Sequence, residues 1–179
     1  RRRRPARPPA MTHLPNWRFC PQCGQPLDEK RIDAVVRLGC RAGCGFVHWD
    51  NPAPVLAALV EYRGQIVLAR NRAWAAGAFG LITGFLERDE TPEEGVMREV
   101  QEELSLRARA PTLIGVYPFA RKHEVIIAYH VLGEGEIRLN EELAEFRLIP
   151  PARLKAWDFG TGLAIRDWLT ANGYAPPAT

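Results

Sequence analysis

GFLERDETPEEGVMREVQEELSL, residues 84–106, is the stretch from which the rest of the chain is read. Thr91-Pro92-Glu93-Glu94 combines a capping threonine, a proline at the first helical position and a glutamate three residues after the cap, so a helix is predicted to begin there and to run to about Leu104. At about 100° per residue, Glu99, Glu102 and Glu103 share one face of that helix, while Val96, Val100 and Leu104 form an apolar stripe that can anchor it to a sheet. Three carboxylates at such spacing repel one another, and Arg98 is the nearest basic partner. A solvated acidic face is one reading of this cluster. The other is a site for divalent cations, whose hard oxygen ligands are those preferred by Mg²⁺ or Mn²⁺ and which pair naturally with phosphates.

On the N-terminal side of this stretch, Val55 to Tyr62 and Gln65 to Arg70 are two β-rich runs broken by Arg63-Gly64, the pattern of a hairpin, and Phe79 to Thr83 is a short apolar run predicted as a further strand. On the C-terminal side, strands are predicted at Leu113 to Tyr117, Val125 to Leu132 and Phe146 to Ile149. A last helix is expected over Leu163 to Thr170, with Leu163, Ile165, Trp168 and Leu169 as its apolar stripe and Gly173 near its stop. Several strands with few, separated helices predict a mixed sheet covered by helices on its faces.

All four cysteines lie upstream. Cys20 and Cys23 form one close pair and Cys40 and Cys44 another, with sixteen residues between the pairs. That is the spacing of a Cys₄ zinc site in a ribbon, closed and therefore structural; two disulfides or four ordinary thiols are the alternatives. His48 is surplus to a complete set of four sulfurs. The chain thus divides into a basic tail over residues 1–15, a zinc ribbon over 16–51 and a mixed domain over 52–179.

Bulk properties narrow the function. With 179 residues, 46% hydrophobic and 25% charged, the chain can build one sizeable core and a small accessory module. Removing Arg1, Arg2, Arg3, Arg4 and Arg7 turns the net charge of +3 into −2, so charge does not support a general phosphate-backbone surface, although Arg31, Arg37, Arg41, Trp17 and Trp49 would be the ribbon residues to serve one. No apolar run approaches the roughly 18 to 20 residues of a membrane span, and a cytoplasmic location is expected.

Gly84, five residues, Glu90, seven residues and then Arg98-Glu99-Val100-Gln101-Glu102-Glu103-Leu104-Ser105-Leu106 resembles the Nudix box of the Nudix hydrolases, with Ser105 in place of the usual glycine. The resemblance implies an α/β/α sandwich with a mixed sheet, preceded here by the small Cys₄ zinc ribbon. It implies a hydrolase of nucleoside diphosphate derivatives in which Glu99, Glu102, Glu103 and the Gly84 carbonyl bind Mg²⁺ or Mn²⁺, and in which Glu90 and Arg98 orient the loop and the ligands. The general base varies in the family; Glu103 is the first candidate, followed by Glu124, Glu142 and Glu145.

A ribbon followed by a Nudix domain is similar to the NADH pyrophosphatase branch and to zinc-ribbon ADP-ribose and FAD pyrophosphatases. Gly84-Phe85-Leu86-Glu87 resembles the former and Asp50-Asn51-Pro52 the latter, while Val116-Tyr117-Pro118-Phe119-Ala120 is a degenerate version of the NADH branch's selectivity element. The expected substrate is an AMP-containing dinucleotide or sugar such as NADH, ADP-ribose or FAD, with release of AMP; a nucleotide-capped RNA also belongs to this chemistry. Phe79, Trp74, Tyr117 and Phe119 are the candidate base-binding residues. Family members often dimerise, so a homodimer is an assembly open to this chain. A nucleotide sensor with a nucleic-acid-reading ribbon is the alternative function, and it has no need of the box carboxylates, all of which are present here.

Overall fold

The computed structural model describes residues 17–174, so the tail predicted over residues 1–15 lies outside the described residues. The chain forms two compact units, one ending at Asn51 and the other beginning at Pro52. The first contains an antiparallel three-stranded sheet of β1 (Leu27–Ile32), β2 (Val35–Cys40) and β3 (Val47–His48), in that order.

The second unit is built on β4 (Ala53–Tyr62), which pairs in parallel with β8 (Glu124–Glu134) from Ala53↔Glu124 to Glu61↔Leu132. β5 (Gln65–Asn71) returns antiparallel to β4 across Arg63 and Gly64, both with positive φ, as a tight two-residue hairpin requires. β7 (Arg107–Phe119) and β9 (Leu143–Ile149) complete the order β7-β8-β4-β5-β9, and β6 (Ile82–Phe85) pairs antiparallel with β4. One parallel pairing among antiparallel ones makes the sheet mixed, as expected.

β4 is apolar almost throughout because both its faces are covered. Leu56, Ala58 and Val60 pack under α1 (Pro92–Leu104) through Val96, Val100 and Leu104. Val55, Ala57 and Leu59 belong to a second core with Ala164, Ile165, Trp168 and Leu169 of α2 (Gly162–Ala171). The result is the α/β/α sandwich. None of the helices among the described residues is long and apolar enough to cross a membrane.

Three strands differ by three or more residues from their sequence-based expectation, β9 by beginning at Leu143 instead of Phe146. The run predicted over Phe79 to Thr83 forms β6 later, at Ile82–Phe85, while Gly80 makes an isolated bridge to Ala69; the strand therefore passes through Gly84 instead of stopping before it. β7 begins before Pro111 and continues through it. Ala110 adopts φ 53 and the pairing shifts register between Arg109 and Thr112, an irregularity that accommodates a residue with no backbone N–H to give the ladder.

α1 starts and stops as its chemistry dictates. Glu94 N–H donates to the Thr91 hydroxyl at 3.2 Å and Thr91 N–H donates to the Glu94 carboxylate at 2.8 Å, a reciprocal capping box. At the other end Ser105 takes the left-handed conformation, φ 56, and its N–H donates to the Gln101 carbonyl at 3.0 Å. This is the geometry that glycine adopts freely, so serine preserves the turn at an energetic cost. Ser105→Gly should accordingly raise unfolding free energy by about 1 kcal/mol, and Thr91→Ala should lower it by about 1 kcal/mol, both measured by urea denaturation.

Candidate active site and a four-cysteine metal centre

The apolar face of α1 is fully buried at Val96, Val100 and Leu104, which mounts the glutamate face rigidly on the helix flank, with Glu99 against Gly84 of β6. Arg98 organises that face. Its Nε and Nη2 donate to the two Glu90 oxygens at 3.0 and 2.8 Å, its Nη1 donates to Glu99 at 2.7 Å and Glu102 at 3.1 Å, and Nη2 also reaches the Phe85 carbonyl at 3.1 Å. Glu90 accepts in addition the Glu87 N–H at 2.7 Å, which ties the loop between β6 and α1 to the helix. The paired Arg98 guanidinium and that amide hold the Glu90 carboxyl down at about 2.

The carboxylates that remain are electrostatically crowded. Burial raises Glu99 above its ordinary value despite Arg98. Glu103 is pushed up to about 8, first by burial and then by the negative charges of Glu99, Glu142 and Glu102. Glu102 is the most open of the Arg98 partners, its side chain 55% exposed. A divalent cation would relieve carboxylates crowded in this way, although the Glu99, Glu102 and Glu103 oxygens do not all lie within 4.8 Å of one another and Arg98 holds the first two.

Gly84 brings the helix and the sheet together. A Cβ built there would land on the Glu99 carboxylate, so only glycine lets Glu99 lie against β6. Gly95, which sequence reasoning did not single out, has the same kind of role inside α1, where any side chain would meet Leu56 and Glu90.

Gly84 also borders a cleft of about 640 Å³ on the α2 side of the sheet. Trp74, Phe79 and Phe119 line it, as does Thr83 beside Gly84; Trp74 packs its indole on Gly80, and the Arg147 guanidinium lies 4.0 Å from the centre of the Phe79 ring. Tyr117, the fourth candidate, is not among the lining residues. Its ring is buried in the second core and its hydroxyl donates to Asp167 of α2 at 2.7 Å; it shares a face of β7 with Phe119 but lies two residues further from the strand end that borders the cleft. Phe85, Trp157, Phe159, Lys122 and Glu124 line the cleft and were not proposed as base-binding residues from sequence. Trp157 and Phe159 lie in a loop without periodicity, so no pattern pointed to them. Of the base candidates outside the box, Glu124 borders the cleft, Glu142 lies within electrostatic reach of Glu103, and Glu145 is held by Arg70 at 2.7 Å on β9.

In the first unit, the Cys20 and Cys44 sulfurs are 3.6 Å apart and those of Cys23 and Cys40 3.4 Å. All four lie within 4.8 Å of one another, the one such group of three or more Cys, His, Asp or Glu ligand atoms among the described residues, and none is in a disulfide. Sulfurs around a tetrahedral zinc with bonds of about 2.3 Å are about 3.8 Å apart, so the donor set and its size fit zinc. The Cys44 amide leads the interactions that hold the Cys40 thiol down at about 6, whereas hydrogen bonds to neighbouring thiols, Cys40 first, push Cys23 up. The Nδ1 atom of His48 is buried without a hydrogen-bond partner among the described residues.

Fold and site together define a Nudix hydrolase. The NUDIX domain family model matches residues 50–167, well over half of the chain, and the protein belongs to that family. It is 28% identical over 123 residues to a Stutzerimonas stutzeri protein named NAD-capped RNA hydrolase NudC, covering 66% of this chain and 44% of that one. The protein of the same name from Pseudomonas entomophila is 26% identical over 129 residues, covering 72% and 46%. The match thus spans less than half the length of these curated relatives. Among solved structures, a Nudix hydrolase from Nitrosomonas europaea superposes with a TM-score of 0.71 at 22% identity, covering 89% of this chain and 96% of that one. An ADP-ribose pyrophosphatase from Streptococcus suis superposes with a TM-score of 0.57 at 18% identity, covering 68% and 92%; both show the shared fold.

The Glu90 pairing makes a prediction with a definite sign. A carboxyl held low in the folded state contributes stability above its unfolded value near 4.5 that is lost as pH falls toward about 2. The gap in urea midpoint between the natural protein and Glu90→Gln should therefore be constant from pH 7 to 5 and narrow below 4.5.

Proposed function

We propose that this Nudix hydrolase cleaves the diphosphate linkage of an AMP-containing dinucleotide or sugar, of the kind represented by NADH, ADP-ribose and FAD, and releases AMP. The observation that carries this reading is the meeting of two surfaces at Gly84. One is the carboxylate face of α1, suited to a cation and so to a diphosphate. The other is an aromatic cleft suited to a base or flat ring. A substrate with a ring linked to a diphosphate can occupy both at once, whereas inorganic pyrophosphate uses only the first. The names of the curated relatives and of the Streptococcus suis structure point to the same substrate chemistry, with a nucleotide-capped RNA as a larger form of it.

Glu99, Glu102 and Glu103, with the Gly84 carbonyl, are the residues that would hold Mg²⁺ or Mn²⁺. The chemistry supplied by such a cation is neutralisation of the diphosphate and acidification of a water for in-line attack at phosphorus. Glu103, on the same helix face as Glu99 and Glu102, is the first candidate to accept the water's proton. Arg98 keeps Glu99 and Glu102 in place through Nη1 and anchors the loop through Glu90. Trp74, Phe79 and Phe119 seat the ring and exclude water from the cleft.

Two measurements test this account. In the presence of Mg²⁺ or Mn²⁺, AMP should appear from at least one of NADH, NAD⁺, ADP-ribose, FAD or a diadenosine polyphosphate, and Glu102→Gln should reduce turnover at least about a hundredfold without altering the circular dichroism spectrum. Turnover restricted to nucleoside triphosphates would reject the substrate class, and full activity in Glu102→Gln would reject the ligand assignment. For the ribbon, we propose Zn²⁺ as the structural ion. One zinc per chain is expected by elemental analysis, with loss of that zinc in Cys40→Ser and thiolate-to-metal absorption after Co²⁺ exchange.

A further inference from the structure

The cleft beside Gly84 is lined mainly by apolar and aromatic residues; Thr83 and Thr161 are polar, and Lys122 and Glu124 are its charged residues. Glu124 is the first residue of β8 and is fixed from both sides, paired with Ala53 of β4 and Phe119 of β7. It shares the cleft-facing side of β8 with Ile126 by the two-residue alternation of a strand. Its carboxylate makes no side-chain hydrogen bond or ion pair among the described residues. Lys122 ends the short 3₁₀ turn Ala120–Lys122, and its ammonium lies 5.9 Å from the centre of the Phe119 ring. The strand and the turn hold the two charges without pairing them. Glu124 is half-buried and Lys122 exposed, so both keep hydrogen-bonding capacity at the border of a mostly apolar space.

From this geometry we infer that Glu124 and Lys122 read the polar edge of the substrate's ring, and that the ring presents a hydrogen-bond donor and an acceptor side by side. Glu124 accepts from an N–H₂ group and Lys122 donates to a neighbouring oxygen or ring nitrogen. A carboxamide has that edge, as does the amine-and-N1 edge of adenine. An anionic edge is repelled by Glu124, and an edge with the amine replaced by an oxo group sets acceptor against acceptor. Such mismatches are costly in an apolar cleft because both partners are left unsatisfied. Glu124 thereby becomes a specificity residue instead of a general base. The inference rests on the proposed dinucleotide reading and adds to it which ring chemistry the cleft selects.

The test compares the natural protein with Glu124→Gln on NAD⁺, nicotinic acid adenine dinucleotide and nicotinamide hypoxanthine dinucleotide. The natural protein should prefer NAD⁺ to one of the two analogues by about tenfold or more in kcat/KM, chiefly through KM, and Glu124→Gln should bring that ratio close to one. Discrimination against the nicotinic acid analogue would place the nicotinamide ring at Glu124, and discrimination against the hypoxanthine analogue would place adenine there. Equal ratios in the two proteins would overturn the inference, as would an equal fall in kcat on all three substrates, which would return Glu124 to the chemical step. Binding of the same three compounds in EDTA, followed by quenching of Trp74 and Trp157 emission, reads the preference without turnover. If none is hydrolysed, the substrate reading fails while the binding preference still decides the role of Glu124.

Discussion

Arg98 is the hub of the catalytic unit, because one guanidinium joins three separate parts of the structure. It clamps Glu90 in the loop before α1, grips Glu99 and Glu102 on the helix itself and caps the Phe85 carbonyl at the end of β6. The Arg98, Glu90 and Glu99 side chains are 28%, 15% and 12% exposed, so the bonds are formed where water competes weakly. Removing the arginine would leave partly buried carboxylates facing one another with no compensating charge. The spacing of the whole 84–106 segment follows from this constraint, since loop, helix and strand end must all reach a single planar donor.

The sheet explains why the two halves of the site can be so different and yet adjoin. β4 is buried on both faces, and the residues on its α1 side support the carboxylate helix while those on its α2 side floor the aromatic cleft. At Gly84 of β6 there is no side chain to separate them. Charge is thus gathered on one side of the sheet and flat apolar surface on the other, and Gly84 borders both. In the other unit, four sulfurs converge from two short turns in a way that a small sheet of three strands could not achieve through apolar burial alone.

Much of this was legible from residue order because local rules and tertiary packing agree. Thr91, Pro92 and Glu94 specify a helix start that the structure forms with both capping hydrogen bonds, and Val96, Val100 and Leu104 specify the buried face. The two cysteine pairs specify a site whose members are local in sequence. Less legible were features that depend on distant partners. Tyr117 reads as a cleft aromatic from its neighbours, but two residues back along β7 from Phe119 it meets Asp167, fifty positions away. Phe159 and Trp157 reach the cleft from an aperiodic loop, and β6 extends past its apolar run because β4 offers it a partner at Val55 and Leu56. The strand expected only from Leu113 runs through Pro111, which cannot give a ladder hydrogen bond, and the register shift that absorbs the proline has no sequence signal of its own.

The central claim is that the face of α1 carrying Glu99, Glu102 and Glu103 holds the divalent cation. Its most direct test is Mn²⁺ binding followed by electron paramagnetic resonance, comparing the natural protein with the Glu99→Gln/Glu103→Gln double variant. The account predicts that the natural protein depletes the six-line signal of free Mn²⁺ and that the double variant, with its secondary structure intact, leaves it at the level of the protein-free solution. Equal depletion by both proteins would place the cation elsewhere and contradict the account.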